Sequence, residues 1–232
     1  MIDIHCHILH RIDDGPTDLE ESVQMALIAQ KDGIETIVAT PHVRDRDITS
    51  ELISQRIAEL KKALDRNGVS VDILYGADIS SNIALTNPTE YTINNTRYLL
   101  LEPPQYFNRS LFMTLIKKII RKGFVPILTH PERNPTVLSA PETLMDFIRT
   151  GALIQITAES LSGGFGPEPK ECSTYLLKKG MVHFLATDAH SKRYRRPVMS
   201  EGLEIAKTIV GSEAAERLVK DNPRRVISNL AL

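Results

Sequence analysis

Five histidines and four carboxylates of this 232-residue chain stand where short apolar runs end. His5 and His7 close the first run, and Asp14 follows in a loop that ends at Gly15. His42 follows Thr40-Pro41, Asp78 follows Gly76-Ala77, and Glu102 ends the run from Tyr98 to Leu101. His130 ends a further run, and Asp188 and His190 end the last. Imidazole nitrogens mixed with carboxylate oxygens suit Mn, Zn or Fe, with geometry and supply deciding among them. The set is too large for one tetrahedral ion and reads as a cluster of two or three, with Asp78 or Glu102 bridging. Such clusters place a hydroxide for in-line attack and neutralise the leaving oxygen. Arg133 and the segment Arg193-Tyr194-Arg195-Arg196 add guanidinium forks near the same run ends, and a fork matches phosphoryl oxygens.

Positioning so many groups together requires a particular architecture. A helical stretch ending at glycine, followed by an apolar run, recurs at Gly33, Gly68, Gly123, Gly151 and Gly180. With Met1 to His5 and Tyr98 to Leu101, this gives seven candidate strands. Continuous apolar runs of this length suit parallel strands buried on both faces. Side chains alternate along a strand, so His5 and His7 point one way and Cys6 the other. The helices carry their own signals. Thr17 and Glu20 have capping-box spacing, and Pro141 suits the first helical position of a segment to Arg149. Ile53, Ile57, Leu60 and Leu64, then Phe112, Leu115 and Ile119, recur at helical spacing. Strand–helix alternation predicts an α/β fold with a parallel sheet. Seven strands favour a closed or nearly closed barrel, whose strand C-termini share one face.

Bulk properties exclude other classes. The chain reads as one domain over residues 1–232. Net charge is −1 and aromatics are 5%, with no basic stripe, so nucleic acid is not an expected partner. No apolar run approaches the roughly 18 residues of a membrane span. No signal peptide is visible, and two cysteines are too few for a disulfide scaffold, so the expected location is the cytoplasm. Oligomeric state is left open. Thiol-based phosphate chemistry is disfavoured. Cysteine phosphatases place an arginine shortly after the nucleophile, and here those positions hold Ile12 for Cys6 and Lys178 for Cys172. Asp13 is expected to cap its loop, Glu132 to make a salt bridge and His183 to sit satisfied in the core. His10 borders the mouth with no assigned chemistry.

The ordered set Asp3-Ile-His5-Cys-His7, Asp13-Asp14-Gly15-Pro16, His42, Gly76-Ala77-Asp78-Ile79, His130-Pro131-Glu132-Arg133, Asp188-Ala-His190 and Asp221-Asn222-Pro223-Arg224 runs the length of the chain. It resembles the PHP (polymerase and histidinol phosphatase) superfamily of metal-dependent phosphoesterases. The branch it is most similar to is the bacterial manganese-dependent protein-tyrosine phosphatases linked to capsule and exopolysaccharide synthesis. The resemblance implies a distorted (β/α)7 barrel and three divalent ions, manganese foremost, with Fe, Zn or Mg as alternatives. It implies His5, His7 and Asp188 on one ion, Glu102 and His130 on a second, and Asp14, His42 and His190 on a third, with Asp78 bridging. Arg133 and an arginine near Arg196 would hold phosphate, which makes Arg133, Arg196, Asp78 and His42 the catalytic candidates. The implied substrate is a phosphotyrosine protein, such as the tail of a bacterial tyrosine kinase. The alternatives within the superfamily are a small-molecule phosphatase of the histidinol-phosphate type and a non-catalytic regulatory domain. The chain departs from the family at Asp78, where Glu is usual, and at Thr157 and Glu159, where Asn and Gly are common.

Overall fold

A computed structural model describes residues 1–44 and 47–232. Every predicted apolar run contributes a strand, and two strands are broken in the middle. The strands are β1 (Ile2–Cys6), β2 (Thr36–Ala39), β3 (His42–Val43), β4 (Asp72–Tyr75), β5 (Asp78–Ile79), β6 (Tyr98–Leu101), β7 (Val125–Thr129), β8 (Leu153–Thr157) and β9 (Phe184–Ala186). β2 and β3 are halves of one run interrupted at Thr40-Pro41. Proline has no N–H for a ladder, and the Thr40 hydroxyl accepts instead from the Cys6 N–H at 2.9 Å. β4 and β5 are likewise parted at Gly76-Ala77. Pairing is parallel throughout, in the orders β1-β2-β4 and β3-β5-β6-β7-β8-β9. Counting each broken strand once, neighbours in the sheet are neighbours in sequence, and the result is a distorted (β/α)7 barrel.

The seam between β9 and β1 lacks a full ladder. One bridge joins Cys6 to Ala189. The Asp188 N–H donates to the His5 carbonyl at 2.8 Å, and the His7 N–H to the Ala189 carbonyl at 2.9 Å. The Asp3 side chain supplies the rest. It accepts from the Thr187 N–H at 3.1 Å and hydroxyl at 2.5 Å, and from the His5 N–H at 3.2 Å. Burial pushes the Asp3 carboxyl up to about 6, outweighing the Thr187 hydrogen bonds that pull it down.

A bulge in β1 decides which way the first histidine faces. Asp3 is in register with Ile37 and Cys6 with Ala39, so three steps along β1 span two along β2. Asp3 and Cys6 therefore share the outer register, while Ile4 and His5 both turn inward. A bulge re-aims side chains in this way. Plain alternation from Ile2 and Ile4 would have turned His5 out of the barrel.

Inside the barrel, Ile2, Ile4, Val38, Tyr98, Leu100, Ile127, Phe184 and Ala186 form one apolar cluster. Val226, from the helix Asp221–Ile227, joins it and closes the end opposite the mouth. A second, larger cluster lies between the outer strand faces and the surrounding helices, and it holds Cys6 and Cys172. The five glycines expected to end helices all have positive φ, from 64° to 109°. The first helix, Leu19–Lys31, is capped by Asp18 rather than Thr17, its carboxylate accepting from the Glu21 N–H. Aspartate is the stronger cap, and Glu21 reaches back to the Thr17 N–H in place of the expected Glu20. Pro141 opens a short 3-10 turn, Pro141–Thr143, before the helix Leu144–Thr150. Among the described residues no helix is long and apolar enough to cross a membrane.

Replacing Asp3 by Ala strands the buried Thr187 N–H and hydroxyl, so unfolding free energy should fall by about 2–3 kcal/mol in urea titration. An unchanged urea midpoint would mean the seam does not depend on that carboxylate.

Candidate metal centre

The nine ligand candidates gather at one end of the barrel. β1 delivers His5 and, just past its end, His7. His42 opens β3 and Asp78 opens β5, in register with each other. Glu102 follows β6, His130 follows β7, and Asp188 and His190 follow β9. Asp14 comes from the loop after β1. That loop packs so closely that a Cβ on Gly15 would lie 2.5 Å from the His7 carbonyl oxygen. Only glycine fits there, and the turn holds Asp13 and Asp14 at the lip. His130 and Asp188 have left-handed backbones, with φ of 36° and 51°. Residues other than glycine are strained in that region, and such strain collects at functional sites.

Ligand atoms converge in four overlapping groups, each with its atoms within 4.8 Å of one another. One is His7, Asp14, His42 and His190. The others are His5, His130 and Asp188; His5, His7 and Asp78; and His42, Asp78 and Glu102. Asp78 belongs to two groups, as a bridge would. Its Oδ2 lies 3.3 Å from His42 Nδ1 and 3.8 Å from His5 Nε2, so the shorter side chain still reaches both. Glu102 groups with His42, at 3.6 Å, rather than with His130 as the resemblance implies.

Three imidazoles are anchored through Nδ1, which leaves Nε2 for the centre. His5 Nδ1 lies 2.8 Å from Gln155 Oε1, His7 Nδ1 2.6 Å from Asp13 Oδ2, and His190 Nδ1 2.9 Å from the Asp188 carbonyl. Metal-bound histidines are oriented in this way by partners on the other ring nitrogen. The freed Nε2 atoms of His5 and His7 then face each other at 3.2 Å. Thr129 donates to Asp78 Oδ1 at 3.2 Å and holds that carboxylate from behind.

Charge in the mouth is balanced by arginines, with imidazoles packed around the carboxylates. Arg133 and Arg195 both donate to Asp188 Oδ2, the latter at 2.5 Å. Burial works against the Asp188 carboxylate, but its contacts with His5, Arg133 and His7 hold its pKa well below the usual range. Burial lowers the His5 imidazole, and burial with the Arg133 charge lowers His130 further. Burial and the neighbouring His7 likewise lower His190. These rings are neutral at neutral pH, as ligands must be. His7 is the exception. Burial pushes it down, yet the hydrogen bond to Asp13 and the nearby Asp188 carboxylate prevail and raise it to about 10.

Divalent cations fit these residues. Asp78 Oδ2, Asp188 Oδ1, His42 Nδ1 and His190 Nε2 are buried without a hydrogen-bond partner among the described residues. Buried polar atoms are rarely left so, and all four belong to the convergent groups. Oxygen and nitrogen donors without thiolate suit Mn, Fe or Zn. Both cysteines are buried, and burial raises the Cys6 thiol well above its usual value and Cys172 to about 12.

Other candidates are placed as follows. Arg196 is exposed beside the mouth, and the guanidinium that reaches Asp188 is that of Arg195, whose φ of 50° turns it inward. Glu132 makes no salt bridge among the described residues. Wholly buried, it accepts from the Thr157 N–H at 2.9 Å and the Ser160 hydroxyl at 2.7 Å. Asp13 caps its loop through the Gly15 and His42 N–H groups, besides holding His7. His183 accepts from the Ile154 N–H but is half-buried rather than in the core, and His10 pairs with Glu59 at 3.2 Å. Sequence reasoning missed Gln155, Thr129 and the anchoring role of Asp13. Gln155 had a visible signal, an amide inside the buried strand Leu153–Thr157.

Comparison with known proteins gives concordant results. The family described as capsular polysaccharide synthesis, CpsB/CapC, matches residues 1–228. The tyrosine-protein phosphatase YwqE of Bacillus subtilis is 34% identical over 95% of this chain and 89% of its own. The tyrosine-protein phosphatase CpsB of Streptococcus pneumoniae is 29% identical over 98% of both chains. A crystal structure from work on those two proteins, described as metal-dependent tyrosine phosphatases, superposes with a TM-score of 0.93 at 32% identity. It covers 100% of this chain and 96% of the other. A Listeria monocytogenes lactonase, at 13% identity and a TM-score of 0.57 over 97% and 94% of the two chains, shares the fold alone. On the near-complete family match and the 34% identity to YwqE, the protein belongs to the CpsB/CapC family of capsular polysaccharide synthesis.

Proposed function

We propose that the protein is a metal-dependent tyrosine phosphatase that removes phosphate from phosphotyrosine in a protein substrate during capsule or exopolysaccharide synthesis. The observation that carries the reading is the convergence of ligand atoms from both ends of the sequence into four groups, with two arginines on their rim. The relatives named above supply the substrate class. We further propose manganese as the metal, three ions as the complement, and a tyrosine-kinase tail in the cytoplasm as the substrate.

In this reading His5, His7, Asp14, His42, Asp78, Glu102, His130, Asp188 and His190 hold the cations. Bound there, the cations supply Lewis acidity that lowers the pKa of water and offsets charge on phosphoryl oxygens. Arg133 and Arg195 grip the equatorial oxygens of the phosphoryl group, and a preorganised fork of this kind lowers the barrier as charge develops. Asp78 and His42, at the centre of the groups, keep the mouth's negative charge and its lone pairs aimed inward. Gln155 and Asp13 fix the imidazoles of His5 and His7 so that neither ring swings when the ligand set changes. The leaving phenol has a pKa near 10, so it departs with less need for a proton than an alkyl alcohol would.

The full-length protein with Mn²⁺ should hydrolyse a phosphotyrosine peptide, lose activity to a chelator, and turn over histidinol phosphate far more slowly. Preference for the small molecule by orders of magnitude would end the protein-substrate reading. His5→Ala or His190→Ala should abolish turnover and reduce bound metal measured by elemental analysis. Asp13→Asn and Gln155→Leu should keep the fold but weaken metal affinity by about 10–100-fold; full affinity in both would remove their anchoring role. Arg133→Ala should leave metal content intact and raise KM for the phosphopeptide, whereas lost metal would contradict its assignment to phosphate.

A further inference from the structure

Phe165 is a half-buried aromatic side chain outside the core. It joins neither hydrophobic cluster. It lies in the turn Gly163-Gly164-Phe165-Gly166, where Gly163 and Gly166 have φ of 93° and 95°. The ring is half-buried at the mouth, lining a cavity of about 600 Å3 with Arg193, Arg195 and Arg196. The Arg133 guanidinium carbon lies 4.4 Å from the ring centroid, and that of Arg195 lies 5.9 Å away. A cation is attracted to an aromatic face within about 6 Å. These are the same two guanidiniums that converge on one oxygen of Asp188.

Two like charges brought to one point repel each other. Asp188 offsets the repulsion in this structure, and Asp188 is also a ligand candidate. Both arginine Nε atoms are buried without a hydrogen-bond partner among the described residues. The Phe165 ring faces both guanidiniums.

We propose that Phe165 is a positioning residue, whose aromatic face gathers Arg133 and Arg195 into one clamp for the phosphoryl group. The inference deepens the phosphatase reading and rests on it. The alternative is that the ring serves only as bulk, in which case leucine would replace it.

The test uses full-length Mn²⁺-loaded protein and compares Phe165→Ala, Phe165→Leu and Phe165→Tyr. Inorganic phosphate binding is measured by calorimetry, KM and kcat on a phosphotyrosine peptide, and metal content by elemental analysis. Alanine and leucine should each weaken phosphate binding and raise KM by about tenfold, with a smaller change in kcat and no change in metal content. Tyrosine, which keeps the aromatic face, should stay within about twofold of the parent. Leucine matching the parent would overturn the proposal, and so would metal loss in the alanine variant. A parent protein that binds phosphate without hydrolysing the peptide would fail the phosphatase reading while leaving the leucine–tyrosine comparison to decide the clamp. A parent protein that binds no phosphate would overturn the clamp itself.

Discussion

Asp188 carries opposed demands on its two oxygens. Oδ2 receives both arginines, while Oδ1 lies 3.3 Å from His5 Nε2 and His7 Nε2 and 3.7 Å from His190 Nδ1. A buried carboxylate is costly unless paired, and this one is wholly buried. The arginine contacts on one side let the other side face inward with its lone pairs unshared. The same residue closes the barrel through its N–H to the His5 carbonyl. Ligand geometry and seam geometry are therefore fixed together, and the left-handed backbone of Asp188 is the strain that this double duty entails.

Irregularities in the strands serve the site. A regular β1 would send His5 to the outer face, and the bulge turns it in beside Ile4. The break at Thr40-Pro41 lets His42 begin a new strand in register with Asp78, which begins another. The seam is short of ladder hydrogen bonds, and Asp3 makes up the difference with side-chain bonds to Thr187. Apolar packing below the mouth, from Tyr98, Phe184 and Val226, leaves the upper layer free to be polar. Stability and chemistry thus occupy different depths of one barrel.

Much of this was legible in the residues. Apolar runs after glycines located the strands, and loaded residues at their ends located the mouth, because in a parallel barrel those ends must meet. What was hidden depends on three-dimensional phase. Alternation alone gave the right facing for His5 and His7 relative to each other, but nothing in the letters showed the bulge that turns His5 inward. Arg195 and Arg196 are indistinguishable by type, and the turn after His190 selects between them. Glu132 looks like a surface charge beside Arg133, yet the fold buries it under Thr157 and Ser160. Gln155 was within reach of sequence reasoning, since an amide inside an otherwise apolar buried strand needs a partner. Its partner, His5, lies 150 residues away.

The state of His7 makes the electrostatic case for cations in the mouth from within the chain. Burial alone would keep this ring neutral, as it does His5, His130 and His190. The pKa of His7 is instead raised to about 10, because the Asp13 and Asp188 carboxylates flank it. The pocket therefore attracts positive charge strongly enough to overcome desolvation of an imidazolium. Atoms of Asp78, Asp188, His42 and His190 that have no hydrogen-bond partner among the described residues stand around the same space. A group of donors that costs free energy to bury and gains it back on taking up positive charge is the thermodynamic description of a cation site. Protons and arginines satisfy that demand only in part, since the unpartnered atoms remain.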